Sequence, residues 1–219
     1  ETRQKVLGIA REHGYIPRSI VKAEQVYKPV RAVRVLACVK SEVVGPEFHH
    51  APFFAELIQG LQIENRRRGH YSLVFSTVTD ESVQNQLAEI EADHPSEGIV
   101  LLGTNLSAKE VAAVQEVHEN VVLLDAFFPT LNIDTVVMNN FMGAAQAVDH
   151  LAELGHSDVG YVGSHTRIQN FDQRWSAFGK EVEKKGISFN EKHKWLVTPT
   201  IEQSEQELSA ELAKTRTLP

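Results

Sequence analysis

Several apolar runs in this chain are followed directly by side chains that can form hydrogen bonds with a small polar molecule. The carboxylate of Asp125, which follows VVLL, can accept paired hydrogen bonds from neighbouring hydroxyl groups. Its competing interpretation is a turn former or helix cap, although no helix is predicted to begin there. Hydroxyl and amide groups at comparable positions can both donate and accept. These positions are Ser41 after the first apolar run, Gly103-Thr104-Asn105 after GIVLL, and Asn139-Asn140 after VVM.

The apolar runs alternate with amphipathic segments, which is the pattern of strands and helices in an α/β protein. Continuous apolar strands predict a parallel, doubly wound sheet covered on both faces. Such sheets bind ligands outside the carboxyl ends of their strands, at the topological switch point, so the polar residues should meet at one edge. Strands are predicted at 33–40, 71–76, 98–103, 121–125 and 136–139, and helices from Pro52 to Gly69, Asp80 to Ala92 and Ser107 to His118.

A second strand-helix-strand unit is predicted between Ile133 and Ser164. Its helix carries apolar or small residues on one face, and Gly155 ends it. The VGYVG run that follows is too short and too β-branched for a helix, so it predicts a strand over 158–164. Beyond it we expect a polar loop over 164–173, a helix from Arg174 to Lys185, a strand over 195–197 and a helix over 202–214.

Charge is distributed unevenly along the 219 residues, whose net charge is −7. Residues 1–34 hold eight Lys/Arg against three Asp/Glu, a net of +5 that leaves −12 for the remainder. A basic N-terminal segment before an acidic remainder predicts that the N-terminal segment binds a polyanion, although a basic terminus that is only solvated would have the same composition. No run reaches the length of a membrane span, and the single cysteine, Cys38, has no disulfide partner in the chain. A cytoplasmic location is therefore expected.

The sequence lacks the motifs of cofactor, metal and nucleophilic chemistry. There is no GxGxxG after the first strand, no GxxxxGKS or GxxxxGKT, and no GxSxG. His49 and His50 are adjacent, and His150 and His156 are six apart across a glycine, so neither pair has zinc-site spacing. No cofactor, no metal and no enzymatic activity are therefore expected.

Three segments resemble the lactose/galactose repressor (LacI/GalR) family of transcriptional regulators. Residues 2–17, with TRQKVL, an alanine and then Gly-Tyr-Ile-Pro, resemble its last headpiece helix and the start of its hinge. Pro52-Phe53-Phe54 resembles the opening of a family helix, with Ala51 in place of the usual asparagine. IDTVVMNN…GAAQAVDHLAELGH…VGYVGS is similar to the family's most recognisable segment, with Asn139 where relatives usually carry aspartate.

The resemblance implies four parts. Residues 1–14 would be the remnant of a helix-turn-helix headpiece whose recognition helix precedes Glu1. Residues 15–30 would be the hinge, although RSIVKAEQVYK lacks the Ala-Arg pair and wedge leucine of relatives. Residues 31–140 would be the N-terminal effector-binding subdomain and 141–219 a partial C-terminal one. The expected fold is a two-lobe, periplasmic-binding-protein-like α/β fold with an incomplete second lobe, because family members continue with another strand and a return to the first lobe.

The resemblance also assigns effector ligands. Relatives line the cleft between the lobes with the aromatic pair and with an arginine on the first turn of a helix, which corresponds here to Arg174. A guanidinium suits vicinal hydroxyls or a carboxylate, and Arg167 is the second candidate. By spacing alone, the two phenylalanines also fit a core and the arginines a surface helix. The predicted effector-binding set is Ser41, Phe53, Phe54, Thr104, Asp125, Asn140, Arg167 and Arg174.

The implied function is a DNA-binding transcriptional regulator, a repressor, whose two lobes bind a small effector such as a sugar. The full-length protein would bind operator DNA as a homodimer, since two headpieces must reach two half-sites. The alternative is a periplasmic-type sugar-binding protein of a transport system, which shares the lobes but has no headpiece. The helix predicted over residues 2–14, the basic linker and the lack of disulfides favour the regulator.

Overall fold

The structure is a computed structural model that describes residues 31–69, 71–79, 82–215 and 219. The helix predicted over 2–14, the hinge predicted over 15–30 and the cap predicted at Asp80 lie outside these residues. From Ala32 onward the chain forms one compact unit that contains two sheets. We call the five-stranded sheet with its helices the first lobe, and the two-stranded sheet with its helices the second lobe.

The first lobe is built on a parallel sheet with the strand order β2-β1-β3-β4-β5. Every neighbouring pair is parallel, as the continuous apolar strands predict. The strand order reverses between β1 and β3, and this is the topological switch point where such sheets bind ligands. The strands are β1 (Ala32–Cys38), β2 (Ser72–Val78), β3 (Gly98–Leu102), β4 (Val121–Leu124) and β5 (Asp134–Val136).

Local sequence signals set the helices of this lobe. Helix α1 (Pro52–Arg68) begins with the proline and ends at Gly69, whose φ of 68° glycine adopts without strain. Helix α2 covers Val83–Asp93. Helix α3 (Ala108–Val117) begins at a capping box, in which Ser107 Oγ accepts from the Glu110 amide while the Glu110 carboxylate accepts from the Ser107 amide.

Apolar side chains cover both faces of the central strands β1 and β3 of the first sheet. Leu36, Leu101 and Leu123 have no exposed surface and belong to a core cluster that also includes side chains of α2 and α3. On the opposite face, Ala37 packs in a cluster with Phe54 of α1. Burial of this kind is worth about 1.5–3 kcal/mol for each large apolar side chain. The carboxyl edge of the sheet is therefore held on a rigid base.

The second lobe is built on a sheet of two parallel strands. Its first helix is capped by Asn139, whose Oδ1 accepts from the Met142 amide at 3.0 Å. Val148, Val159 and Phe178 form the centre of its core. The elements are α4 (Asn140–Glu153), β6 (Asp158–Ser164), α5 (Gln169–Lys185), β7 (Ser188–Val197) and α6 (Ile201–Lys214). Within the described residues, every helix is too short or too polar to cross a membrane.

The strands that differ most from the sequence prediction are β5 and β7. Strand β5 ends at Val136, not Asn139, because the Asn140 amide turns back to the Met138 carbonyl at 3.0 Å and Asn139 becomes a helix cap. Strand β7 begins at Ser188, seven residues before the predicted start. Its first half is polar and largely exposed, so it does not read as an apolar run, and within it Ser188 and Phe189 pair with β6 before the register shifts.

The start of α5 was also predicted wrongly, because residues 169–173 are helical and not loop. The main chain turns at Ile168, whose carbonyl accepts from the Phe171 amide at 3.1 Å and the Asp172 amide at 3.2 Å. Amide-rich sequence is typical of loops, but here those side chains have partners elsewhere in the fold. Arg174 therefore lies in the second turn of α5, not in the first.

Candidate functional site

The residues that follow β1 and β3 meet at the switch point. Asn105 Nδ2 donates to Ser41 Oγ and to the Cys38 carbonyl, both at 3.2 Å. Ser41 Oγ also accepts from the amides of Val43 at 3.2 Å and Val44 at 3.1 Å, which fixes the turn after β1. Asn105 Oδ1 is buried and has no hydrogen-bond partner among the described residues. The structure thus brings together the polar groups predicted at this edge.

Asp125 lies directly after β4 and is 4% exposed. Thr104 Oγ1 donates to its Oδ2 at 2.7 Å, while Oδ1 is buried and finds no hydrogen-bond partner in the described part of the chain. Burial raises the pKa of Asp125 and outweighs the lowering effects of Thr104, Asn170 and Arg174. Its φ of 66° is a left-handed conformation that few non-glycine residues adopt. Such strain collects at functional sites, so Asp125 is the strongest single candidate for binding a ligand.

Asn140, the first residue of α4, is 5% exposed and has partners for its whole amide. Its Nδ2 donates to Asn170 Oδ1 and Gln173 Oε1, both at 3.0 Å. Its Oδ1 accepts from Arg174 Nε at 2.8 Å. Asn140 therefore orients the second-lobe side chains and has little capacity left for a ligand. We call Asn140, Asn170, Gln173 and Arg174 the amide hub.

A second bond of Asn170 joins the amide hub to the first lobe. Its Nδ2 also donates to the main-chain carbonyl of Asp125 at 3.4 Å, and Asn170 itself is 5% exposed. A continuous chain of polar contacts therefore runs from Thr104 through Asp125 and the hub to Arg174. We call this chain the inter-lobe network. It connects a carboxylate of the first lobe to a guanidinium of the second.

The guanidinium of Arg174 is oriented but not neutralised. It meets the hub through Nε and lies 5.7 Å from the centre of the Phe171 ring, a cation–π distance. Among the described residues, no carboxylate is within ion-pair distance of Arg174. Its terminal nitrogens are thus suited to bind oxygen atoms of a ligand.

Three predicted residues lie elsewhere. Phe54 is buried in the core of the first lobe, and Phe53 is 39% exposed with its ring 5.0 Å from that of Phe54. The side chain of Arg167 is 81% exposed and forms an ion pair with Asp172 at 3.1 Å. The structure therefore separates Phe54 and Arg167 from the inter-lobe network and leaves Phe53 with a partly accessible ring.

Asn170 and Gln173 were missed in the sequence. Together with Arg174 they are spaced i, i+3 and i+4, which places them on one face of a helix. That pattern is visible only when the helix begins at Gln169, whereas the polar composition of 164–173 favoured a loop. A helix boundary that was five residues late thus concealed half of the hub.

A cavity of about 500 Å³ lies apart from most of the inter-lobe network. It lies within the second lobe, where α4 and β6 contribute small and apolar residues such as Ala144, Ala147 and Val162. It shares only Asn140 and Arg174 with the network. A polyhydroxylated ligand needs more polar partners than these walls provide, so the network is the better candidate for binding it.

Comparisons with known proteins identify the family of the chain. Residues 41–217 match the family described as periplasmic binding proteins and sugar binding domain of LacI family. The HTH-type transcriptional repressor CytR of Escherichia coli K12 is 24% identical over 198 residues, with 85% of this chain and 54% of CytR covered. The HTH-type transcriptional regulator GalR of the same strain is 22% identical, with 87% of this chain and 56% of GalR covered. The chain spans about half the length of these relatives.

Solved structures share the fold. A transcriptional regulator CelR–cellobiose complex superposes with a TM-score of 0.68 at 17% identity, covering 99% of this chain and 63% of that one. A putative transcriptional regulator LacI from Bacillus cereus subsp. cytotoxis superposes with a TM-score of 0.70 at 20% identity, covering 87% and 66%. The two-lobe α/β fold predicted from the sequence is confirmed.

The curated relatives are named as transcriptional repressors and regulators, which confirms that the chain belongs to a non-enzymatic class. They also favour the regulator over the transport protein. Because the family match covers more than half of its length, this chain belongs to the family of periplasmic binding proteins and LacI sugar-binding domains, as an effector-binding region of the LacI/GalR regulators.

Proposed function

We propose that this chain is the effector-binding core of a DNA-binding transcriptional repressor, and that it binds a neutral polyhydroxylated molecule, a sugar in the first instance, between its lobes. The observation that carries the proposal is the inter-lobe network, in which Asp125 Oδ1 has no partner in the described chain and Arg174 has no carboxylate. Relatives named as repressors support the regulatory part of the proposal.

Asp125 and Arg174 have complementary roles in binding. Asp125 would accept hydrogen bonds from ligand hydroxyls, and Arg174 would donate to ligand oxygens from the opposite lobe. Ser41, Thr104 and Asn105 would supply further hydrogen-bonding groups at the same edge. The partly exposed ring of Phe53 offers an apolar face at the start of α1. A ligand held by both lobes binds one lobe arrangement better than another, and only such differential affinity can shift the equilibrium between them.

The regulatory output requires the full-length protein. A change in lobe arrangement would reposition the hinges and headpieces, so that a homodimer gains or loses contact with two operator half-sites. The proposed division is a headpiece remnant over 1–14, a hinge over 15–30 and effector-binding subdomains over 31–140 and 141–219. The proposed setting is the cytoplasm, where DNA is accessible.

Thermal melting of the full-length protein against monosaccharides, disaccharides, nucleosides and purines tests the proposal. A ligand at a hundred times its dissociation constant should stabilise the protein by about 2.7 kcal/mol. Arg174→Ala should abolish this shift. Arg167→Ala is the matched control, since its side chain is 81% exposed and outside the network, and it should keep the shift.

Three outcomes would contradict the proposal. The absence of thermal stabilisation by any sugar would refute the carbohydrate assignment. Loss of the ligand-induced stabilisation in Arg167→Ala would refute the assignment of the site. A ligand that stabilises the protein without changing its affinity for the DNA upstream of its own gene would refute the regulatory role.

A further inference from the structure

The first residue of α5 binds the main chain of the loop after β4 through both ends of its side-chain amide. Gln169 Oε1 accepts from the Phe127 amide at 2.9 Å, and Gln169 Nε2 donates to the Phe127 carbonyl at 2.8 Å. One side chain thus satisfies both main-chain groups of one residue, much as a neighbouring strand would. We call this pair of bonds the amide latch.

The amide latch joins the two lobes at the inter-lobe network. Phe127 lies two residues after Asp125 in the first lobe, and Gln169 lies beside Asn170 in the second. Asn170 binds the Asp125 carbonyl, so adjacent residues of α5 hold alternate residues of the same loop. A further bond between the lobes, from Thr166 Oγ1 to Glu42 Oε2 at 3.0 Å, precedes α5.

The geometry of the amide latch makes it sensitive to lobe arrangement. Two bonds from one planar amide to one residue must form or break together when α5 moves relative to the loop. Side-chain rotation can keep one of them but not both. Gln169 contributes no side chain to the three apolar core clusters of the lobes.

We propose that Gln169 is a positioning residue that stabilises the lobe arrangement in which Asp125 faces Arg174, and so sets how tightly the cleft holds its effector. The effector part rests on the proposed function, whereas the effect on lobe arrangement does not. Both bonds are exposed to solvent, so each contributes less than a typical buried bond, and together they correspond to roughly a tenfold change in the ratio of latched to unlatched molecules. Where the latched form becomes the minor one, the apparent effector affinity falls by the same factor.

Gln169→Met in the full-length protein tests the proposal, because methionine keeps the length of the side chain and the helix propensity but lacks both polar groups. Gln62→Met, on the exposed face of α1, is the matched control. Two readouts need no ligand. They are the distance between spin labels at Glu119→Cys and Glu183→Cys, one on each lobe, and the hydrogen-exchange rate of the Phe127 amide.

The expected result in Gln169→Met is a broader or longer distance distribution and a Phe127 amide that exchanges roughly tenfold faster, with Gln62→Met unchanged. Unchanged distances together with a lower urea midpoint would mean that Gln169 stabilises only its own helix, and would overturn the proposal. Exchange within twofold of wild type would overturn it as well.

Melting against the sugar panel then separates the two hypotheses. If Gln169→Met shows the expected changes in distance and exchange but the wild-type protein binds no sugar, only the proposed function is refuted. A sugar that binds wild type and Gln169→Met equally tightly would refute only the link between the latch and affinity.

Discussion

Adjacent asparagines at the start of α4 have different roles, and alanine substitutions should separate them. Asn140→Ala removes three hydrogen bonds, at 3.0, 3.0 and 2.8 Å, of which the last involves the guanidinium of Arg174. Neutral bonds contribute about 1 kcal/mol each and a bond to a charged group about 1.5–3 kcal/mol. Because Gln173 and Arg174 are only partly buried, water replaces some of this, and we expect a loss of roughly 2–4 kcal/mol.

Asn139→Ala is the matched control, since it removes one helix-capping bond and should cost about 1 kcal/mol. Urea unfolding of both variants, followed by far-UV circular dichroism at an unchanged m-value, measures the difference. Effector affinity provides a second comparison. Asn140→Ala should weaken binding because Arg174 loses the partner that orients it, whereas Asn139→Ala should not.

Equal losses in the two variants, within about 0.5 kcal/mol, would refute the hub as an energetic unit. A neutral Asn140→Ala would do so more directly. A large loss of stability with undiminished effector affinity would show that the hub supports the fold but does not orient Arg174 for a ligand.

Two further substitutions test buried charge in the first lobe. Glu91→Ala should lower the free energy of unfolding in urea by about 3–5 kcal/mol, because Arg34, whose side chain is 2% exposed, loses its paired carboxylate and keeps, among the described residues, only the neutral partners Ser76 and the His94 carbonyl. Arg34→Met with Glu91→Met should recover most of that loss. Burial raises the pKa of Glu91, but the bonds from Arg34 and Ser96 lower it by more, so the pKa in the folded protein lies below its ordinary value. The contribution of Glu91 to stability is therefore present above the ordinary glutamate pKa of about 4.3 and is lost as the pH falls through the folded-state pKa. This pH dependence should be missing from acid titrations of the double variant. Asp125→Asn should stabilise the ligand-free protein by up to about 1 kcal/mol and abolish effector binding, because burial raises the pKa of Asp125, so its ionised carboxylate opposes folding at neutral pH whereas a neutral amide does not. A lower melting temperature at pH 7 than that of wild type would contradict this last expectation.

The sheet of the first lobe could be predicted because its central strands, β1 and β3, are largely buried and read as continuous apolar runs. The polar residues that follow those strands could be predicted for the same reason, since the end of each run marks the carboxyl edge. The start of α5 could not. Gln169 and Asn170 are polar because they bind the first-lobe main chain, and a single sequence does not reveal a partner about forty residues away.

The departure from the family pattern at Asn139 falls on the helix cap and not on the hub. Asparagine and aspartate cap helices about equally well, so the substitution keeps the cap while removing a negative charge from the residue next to Asn140. Among the described residues no carboxylate lies within ion-pair distance of Arg174, and Asp125 at the other end of the network has one carboxylate oxygen without a partner. A neutral polyol can donate to Asp125 and accept from Arg174 at once, whereas an anion would gain from Arg174 and be opposed by Asp125. We therefore expect the affinity of this site to depend more on the charge of a ligand than on its shape.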